Sequence, residues 1–373
     1  MQVPEVRPVS GKGEFKQFIG YQYDRNRADA RFIPPLRLGE IDKLTPRKNP
    51  FFAHADVQLF LARRDGRIAG RIAAIDDRLH NQTHGDNIAM FGFFEADDAV
   101  VSRALLGEVE AWARAKGRDA VRGPINPSLN ESAGLLIDGF NTDPMLMMPR
   151  NPQDYAAYIE GAGYGKVKDL YAWIYELGLD IPPFIRKMAE RVKQECGITT
   201  RPFDLKEFAH ETERLREIYC GAWQDNWGFV APTEAEFKRI ATEMKPIFDP
   251  NAAILAEKDG RPIACAVAVP DVNQALRGTD GRLFPLGLVK LLARKKYIDQ
   301  IRLLLLGVLP EFRTIGIYPL LIADLHALVR GRTTYKRVEF SWVLEDNDAI
   351  NRTVERIGAV RYQTYRIYQK AIG

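Results

Sequence analysis

The sequence is short of cysteine, of long hydrophobic runs and of net charge, and each shortage removes a class of protein. Its three cysteines, Cys196, Cys220 and Cys265, are an odd number and include no Cys-x-x-Cys pair. Neither a disulfide framework nor a thiolate metal site is expected from them. No uncharged apolar stretch approaches the roughly 20 residues that cross a bilayer as a helix. The opening MQVPEVRPVSGKGEF has no apolar core of the signal-peptide kind. A cytoplasmic protein is expected. Lys and Arg (53) nearly balance Asp and Glu (49), which leaves +4 over 373 residues. That charge is too dilute for dedicated nucleic-acid binding, which needs a concentrated basic face. Histidines are few as well. HNQTH sets His80 and His84 four apart beside Gly85 and Asp86, in a stretch read as a loop, and no metal site is expected there.

What is present is globular composition, 46% hydrophobic and 27% charged. The length exceeds one ordinary core at roughly 100–200 residues per domain. Internal similarity supplies the division. LFLARRDGRIAGRIAAI (Leu59 to Ile75) and AILAEKDGRPIACAVAV (Ala253 to Val269) both read as strand, Asp-Gly turn, strand. Further on, YIEGAGYGKVKDLYAWIYEL from Tyr158 matches TVERIGAVRYQTYRIYQK from Thr353 at nearly the same spacing. A duplicated domain follows, with bounds 1–178 and 198–373. PPFIRKMAERVKQECG, opening on prolines and closing at Gly197, is a linking helix over 179–197. Each half reads as strand, helical sequence, hairpin, strand, helix, strand, helix, strand. The fold class is therefore α/β, with a twisted, mostly antiparallel mixed sheet flanked by helices in each half.

One stretch points to chemistry. In LLLLGVLPEFRTIGIYPLL (Leu303 to Leu321) an apolar strand empties into Arg313 and Gly316 and then opens a helix. Free N–H groups of a helix's first turn, a glycine that admits a ligand to the backbone and a nearby cation together suit an anion. The stretch is neither a Walker loop nor a GxGxxG turn. Taken alone, it also reads as a plain strand-to-helix connection with a surface arginine.

In its setting of strand, hairpin, strand, this loop, helix, strand, NDAINRTVERIGA and strand, the C-terminal half resembles the GNAT superfamily of CoA-dependent N-acyltransferases. The family's Arg/Gln-x-x-Gly-x-Gly/Ala loop, which holds the acyl-CoA pyrophosphate, matches Arg313, Gly316 and Tyr318, the last replacing a small residue. The resemblance implies that acetyl-CoA or a longer acyl-CoA, with no metal, is held by Val308, Leu309, Arg313, Thr314, Ile315, Gly316, Ile317, Tyr318 and Asn347. Val354 stands where many members carry the tyrosine that protonates the leaving thiolate. The first half carries Asp97 and Asp98 at the equivalent loop. Two carboxylates repel a pyrophosphate, so the N-terminal copy is expected not to bind CoA. The tandem form, the polar N-terminal loop and a basic insertion resemble, more narrowly, bacterial ceramide-synthase-like acyltransferases, which N-acylate a sphingoid base.

The reaction implied is acyl transfer to a primary amine, on a small molecule or a lipid. The thioester carbonyl would be polarised by a backbone N–H near Leu309, and the amine would lose its proton to a carboxylate. Glu339 and Glu345 are the candidate carboxylates. Tyr365, with Tyr362, is a candidate proton donor. Glu345 and Asp346 also read as charges at a helix start. For the acceptor, CGAWQDNWGFVAPTEAEF offers Trp223, Asn226 and Trp227, which equally read as core caps. The loop GPINPSLNESAGLLIDGFNTDP offers Asn126 and Asn130, or else folds on itself. LFPLGLVKLLARKKYIDQIR (Leu283 to Arg302) reads as a basic amphipathic helix absent from the first half. It would either touch the inner membrane face or lie in solvent. The rival functional class is a catalytically silent GNAT-fold binding or regulatory protein, suggested by Val354 and the degenerate first copy.

Overall fold

The protein is described from a computed structural model covering residues 3–373. Along the chain come β1 (Glu5–Pro8), α1 (Gly11–Arg25), α2 (Arg37–Lys43), β2 (Ala55–Arg64), β3 (Arg67–Asp77), α3 (Arg78–His84), β4 (Ile88–Ala96), α4 (Ala99–Ala115) and β5 (Ala120–Gly123). Then follow β6 (Leu135–Asp138), α5 (Tyr155–Gly161), β7 (Gly165–Glu176), α6 (Pro183–Cys196), β8 (Ile198–Pro202), α7 (Phe208–Trp223), α8 (Glu234–Met244), β9 (Ala253–Lys258) and β10 (Arg261–Pro270). The rest is α9 (Val272–Leu276), α10 (Leu288–Leu292), α11 (Arg294–Tyr297), β11 (Gln300–Val308), α12 (Ile317–Arg332), β12 (Arg337–Leu344), α13 (Asp348–Arg356) and β13 (Val360–Ala371).

Two compact units result. Unit 1 comprises residues 1–171, 276–286 and 363–373, and unit 2 residues 172–275 and 287–362. They are not the contiguous halves expected from the repeat. Residues 363–373 group with unit 1 because β13 hydrogen-bonds to its strands, Tyr368 facing Gly123 of β5 and Tyr365 facing Leu136 of β6. Residues 276–286 do so because Arg37 donates to the Asp280 carbonyl (3.2 Å) and its backbone N–H to Gly281 (2.9 Å). The helix over 183–196 groups with unit 2.

Each unit is built on one hairpin. β2–β3 turns at Asp65 and Gly66 (φ 50° and 74°), and β9–β10 turns at Asp259 and Gly260 (φ 51° and 77°). Both turns need two left-handed residues, which is why the sequence spells Asp-Gly twice. In unit 1 the sheet runs β1-β2-β3-β4-β5-β13, and in unit 2 β8-β9-β10-β11-β12. All these neighbours are antiparallel except β4–β5 and β11–β12, which are parallel. The mostly antiparallel mixed sheet with flanking helices is the expected α/β architecture. Buried Phe60, Ile72, Phe91, Leu105, Val109 and Tyr155 centre the unit 1 core, and Ile254, Leu255, Val269, Ile301, Leu320 and Leu321 contribute to that of unit 2.

Two local readings are corrected. HNQTH is helical: Asp77 caps α3 by accepting from Leu79 and His80, and Gly85 closes it at φ 63°. Residues 283–302 are not one amphipathic helix. They break into short turns at 283–287, 288–292 and 294–297, and residues 300–302 already belong to β11.

Candidate functional site

The parallel pair in unit 2 comes apart. β11 and β12 stay in register only from Gln300 opposite Arg337 to Leu303 opposite Phe340. β11 also carries a bulge, Val267 and Ala268 of β10 facing Leu305 and Leu303 with Leu304 left over. A bulge adds twist and bends its strand. Beyond it, among the described residues, no strand pairs with that edge of β11 as far as Val308.

That edge decides which amide can reach a ligand. An N–H near Leu309 is expected to polarise the carbonyl, and that of Leu309 itself is taken by Ile263 of β10 (3.0 Å). Successive strand amides point to opposite sides, so the Val308 N–H points away from β10 into the opening. After Leu309 the chain makes a 3-10 turn, Pro310–Ile315, and enters α12 at Gly316. Gly316 has φ +83°, a conformation that costs an L-residue about 1–2 kcal/mol. No side chain caps α12, so the amides of its first turn, including those of Ile317 and Tyr318, keep the N-terminal positive field. Thr314 is exposed, and Ile315 and Tyr318 are half-buried. Arg313 donates to the Ala222 carbonyl in the last turn of α7 (2.8 Å) and lies 3.6 Å from Asp225. It therefore braces this loop against α7.

On the side of the sheet away from α12 lies a charged cluster. Arg302 and Glu339 face each other across β11 and β12 and are 2% and 0% exposed. The Arg302 Nε donates to the Ser341 hydroxyl (2.9 Å) and is 3.5 Å from the Glu339 carboxylate. Ser341 and Tyr362 each donate a hydroxyl to Glu339. Burial pushes the Glu339 carboxyl above its ordinary range, against the pull of Arg302 and the two hydroxyls. The Arg302 guanidinium sits 5.0 Å from the Trp342 ring, whose buried Nε1–H has no acceptor among the described residues.

The other expected residues fall in several places. Tyr362, rather than Tyr365, meets Glu339. Tyr365 is fully buried in unit 1, where its hydroxyl donates to Gln363 (2.9 Å). Glu345 is half-buried in the turn after β12. Asn347 caps α13, accepting from Ile350 (3.2 Å). Val354 is completely buried, so the side chain at the family's tyrosine position packs in the core. Trp223 ends α7 and lies over Gly307, where any Cβ would meet its ring at 2.3 Å. Tyr219 packs on Trp223 and Phe229 (centroids 4.9 and 5.2 Å). Asn226 and Trp227 are half-buried in the turn that follows. Arg302 and Ser341 went unnoticed in the sequence. A lone arginine inside QIRLLLLGV and a serine two residues beyond Glu339 on the same strand face were the available signals.

Unit 1 has the same elements with the opening filled. Its loop after β5 folds back, the Ile125 N–H bonding the Phe91 carbonyl (2.8 Å) and the Asn126 side chain accepting from the Phe93 N–H (2.5 Å). A Cβ at Gly92 would lie 1.8 Å from the Ile125 carbonyl, so only glycine allows this closure. Asn126 thus occupies an amide on the β4 edge, while Asn130 is half-buried further along the loop. The start of α4 is filled too. Asp98 accepts from the Val100 and Val101 amides (both 3.0 Å) and pairs with both terminal nitrogens of Arg64 (2.6 and 3.1 Å). Arg64 holds its carboxyl down to about 2.

A scan against protein-family models finds no match. Two curated proteins match over nearly their whole length. The bacterial ceramide synthase of Caulobacter vibrioides is 38% identical over 98% of this chain and 97% of its own. Protein YghO of Escherichia coli is 37% identical over 98% and 95%. Among solved structures, a tandem GNAT protein from the clavulanic acid biosynthesis pathway superposes with TM-score 0.59 over 99% of both chains, at 14% identity. That likeness establishes the tandem fold. The chain belongs to the family of the Caulobacter bacterial ceramide synthase and is an acyltransferase on a tandem GNAT fold.

Proposed function

We propose that unit 2 transfers an acyl group from acyl-CoA to the primary amine of a long-chain lipid, a sphingoid base, giving an N-acyl amide. The observation that carries this reading is the parting of β11 from β12 beside an uncapped helix start. The thioester carbonyl accepts from the Val308 N–H, and the pyrophosphate lies on the first-turn amides near Ile315, Gly316 and Ile317, with Arg313 and Asn347 bracing the two helix starts. The amine nitrogen attacks the carbonyl carbon, the C–N bond forms and the C–S bond breaks. Glu339, its basicity raised by burial, takes the ammonium proton through Tyr362 or a water. The thiolate leaves as free CoA after gaining a proton from solvent. The unpaired Trp342 indole N–H is a ready donor to a polar group of the acceptor.

An apolar cavity of about 30 Å³ lies between the parting strands and α12. Leu303, Leu306, Leu321, Leu325, Val338 and Phe340 line it, a surface suited to methylenes and to little else. The name of the Caulobacter relative supports a sphingoid acceptor. The test is mass-spectrometric detection of the amide from purified protein, a sphingoid base and acyl donors of increasing length, supplied as CoA or as carrier-protein thioesters. Product from long-chain acyl-CoA is expected. Product from the carrier-protein thioester alone would overturn the CoA assignment, and none from any pair would overturn the reading.

A further inference from the structure

The connection from β3 to β4 in unit 1 spans only residues 78–87, whereas that from β10 to β11 spans 271–299. Part of the added length, from residue 287 on, groups with unit 2 and has an unusual surface. Val289, Leu292 and Tyr297 are 61%, 78% and 41% exposed. Phe284 and Leu286, just before them in the chain, are exposed as well. Apolar side chains this large seldom gather on the surface of a soluble monomer without a partner. From Gly281 to Ile298 there is no Asp or Glu, while Arg282, Lys290, Arg294, Lys295 and Lys296 all fall there. Arg294 donates to the carbonyls of Pro246 (3.0 Å) and Phe248 (3.4 Å), fastening the segment to the chain before β9. The segment that carries the apolar residues is therefore tied down at Arg294.

We infer that unit 2 docks on an anionic bilayer through residues 287–297, Val289, Leu292 and Tyr297 entering the headgroup boundary and Lys290 and Lys296 meeting lipid phosphates. A protein partner would be matched by a mainly apolar or a mixed-charge face. Apolar and purely basic residues interleaved over one short segment match a surface that is negative outside and hydrocarbon within. The docking deepens the proposed function by naming where a lipid amine is met, and its test reads vesicles alone, so each can fail without the other.

The full chain is sedimented with vesicles of phosphatidylcholine alone and with phosphatidylglycerol added, at low and high salt. Binding should need the anionic lipid and weaken as salt rises. Val289→Glu with Leu292→Glu should lower partitioning about tenfold or more, and Lys296→Glu by a few-fold. Thermal unfolding of both variants should match wild type, because the altered side chains are exposed. No binding to the anionic vesicles, or equal binding by wild type and the double variant, would overturn the docking. So would a concentration-dependent dimer that the double variant abolishes while vesicles go unbound, since the surface would then join two copies of this chain.

Discussion

The two units start from one plan and treat the same opening in opposite ways. In unit 1 the gap beside β4 is filled by the chain's own Ile125 and Asn126, and the helix start beyond it by the Asp98 carboxylate. In unit 2 β12 leaves β11 after Leu303, and the start of α12 has no side-chain cap. On the proposed reading, groups that would hold a thioester oxygen and a phosphate are supplied internally in one copy and left for a ligand in the other. A few side chains would then be enough to turn a binding cleft into scaffold.

Breaking the buried charges should separate the copies most sharply. Each unit holds a raised, buried carboxyl: Glu339, and Glu95, which accepts from Tyr155 (2.8 Å) and Asn26 (3.1 Å) near the buried Arg71. Glu339→Gln should lower kcat by about 10²-fold or more, whereas Glu95→Gln should leave turnover per folded molecule unchanged. Equal effects in a steady-state assay would refute the division of labour. Arg302→Met should cost about 3–5 kcal/mol in denaturant unfolding, because Glu339 would lose its cationic neighbour while staying buried. Asn126→Ala should cost about 1–3 kcal/mol by stranding the Phe93 N–H. It should create no second CoA site, so calorimetry should still count one.

Asp98→Ala should cost about 1 kcal/mol through the lost cap of α4. It also carries a pH signature of opposite sign to that of Glu339. The Asp98 carboxyl is depressed from 3.8 to about 2, so its contribution is present above 3.8 and fades as pH falls through about 2. The Glu339 carboxyl is raised above 4.5, so its contribution is full below 4.5 and is lost as pH rises through the folded value. Melting temperature against pH should lose part of its acid-side slope in the Asp98 variant and part of its alkaline-side slope in Glu339→Gln. Unaltered profiles would show that neither group titrates as its surroundings dictate.

Local chemistry made much of this legible in the sequence. Asp-Gly between apolar runs can hardly be anything but a tight hairpin, and Pro183 with Gly197 marks both ends of α6. The strand-to-helix loop at Gly316 was readable because a left-handed residue and a helix start leave a signature in adjacent positions. The Arg302–Glu339–Ser341–Tyr362 cluster left only scattered signs, since its members meet through strand register and a later strand. The fate of the Leu309 amide was hidden for the same reason: hydrogen-bond direction along a strand depends on the pairing with β10. The broken segment at 283–297 misled because its apolar spacing suits a helix, while Pro285 and Gly287 interrupt one.

The grouping of residues 363–373 with unit 1 also bears on how the chain is made. The strand that pairs with β5 and β6 is synthesised after every residue of unit 2. Unit 1 must leave the ribosome with an unpaired strand edge and wait for that strand to be made, an arrangement that exposes it to wrong partners. Loss of those few residues should therefore injure the copy at the opposite end of the sequence.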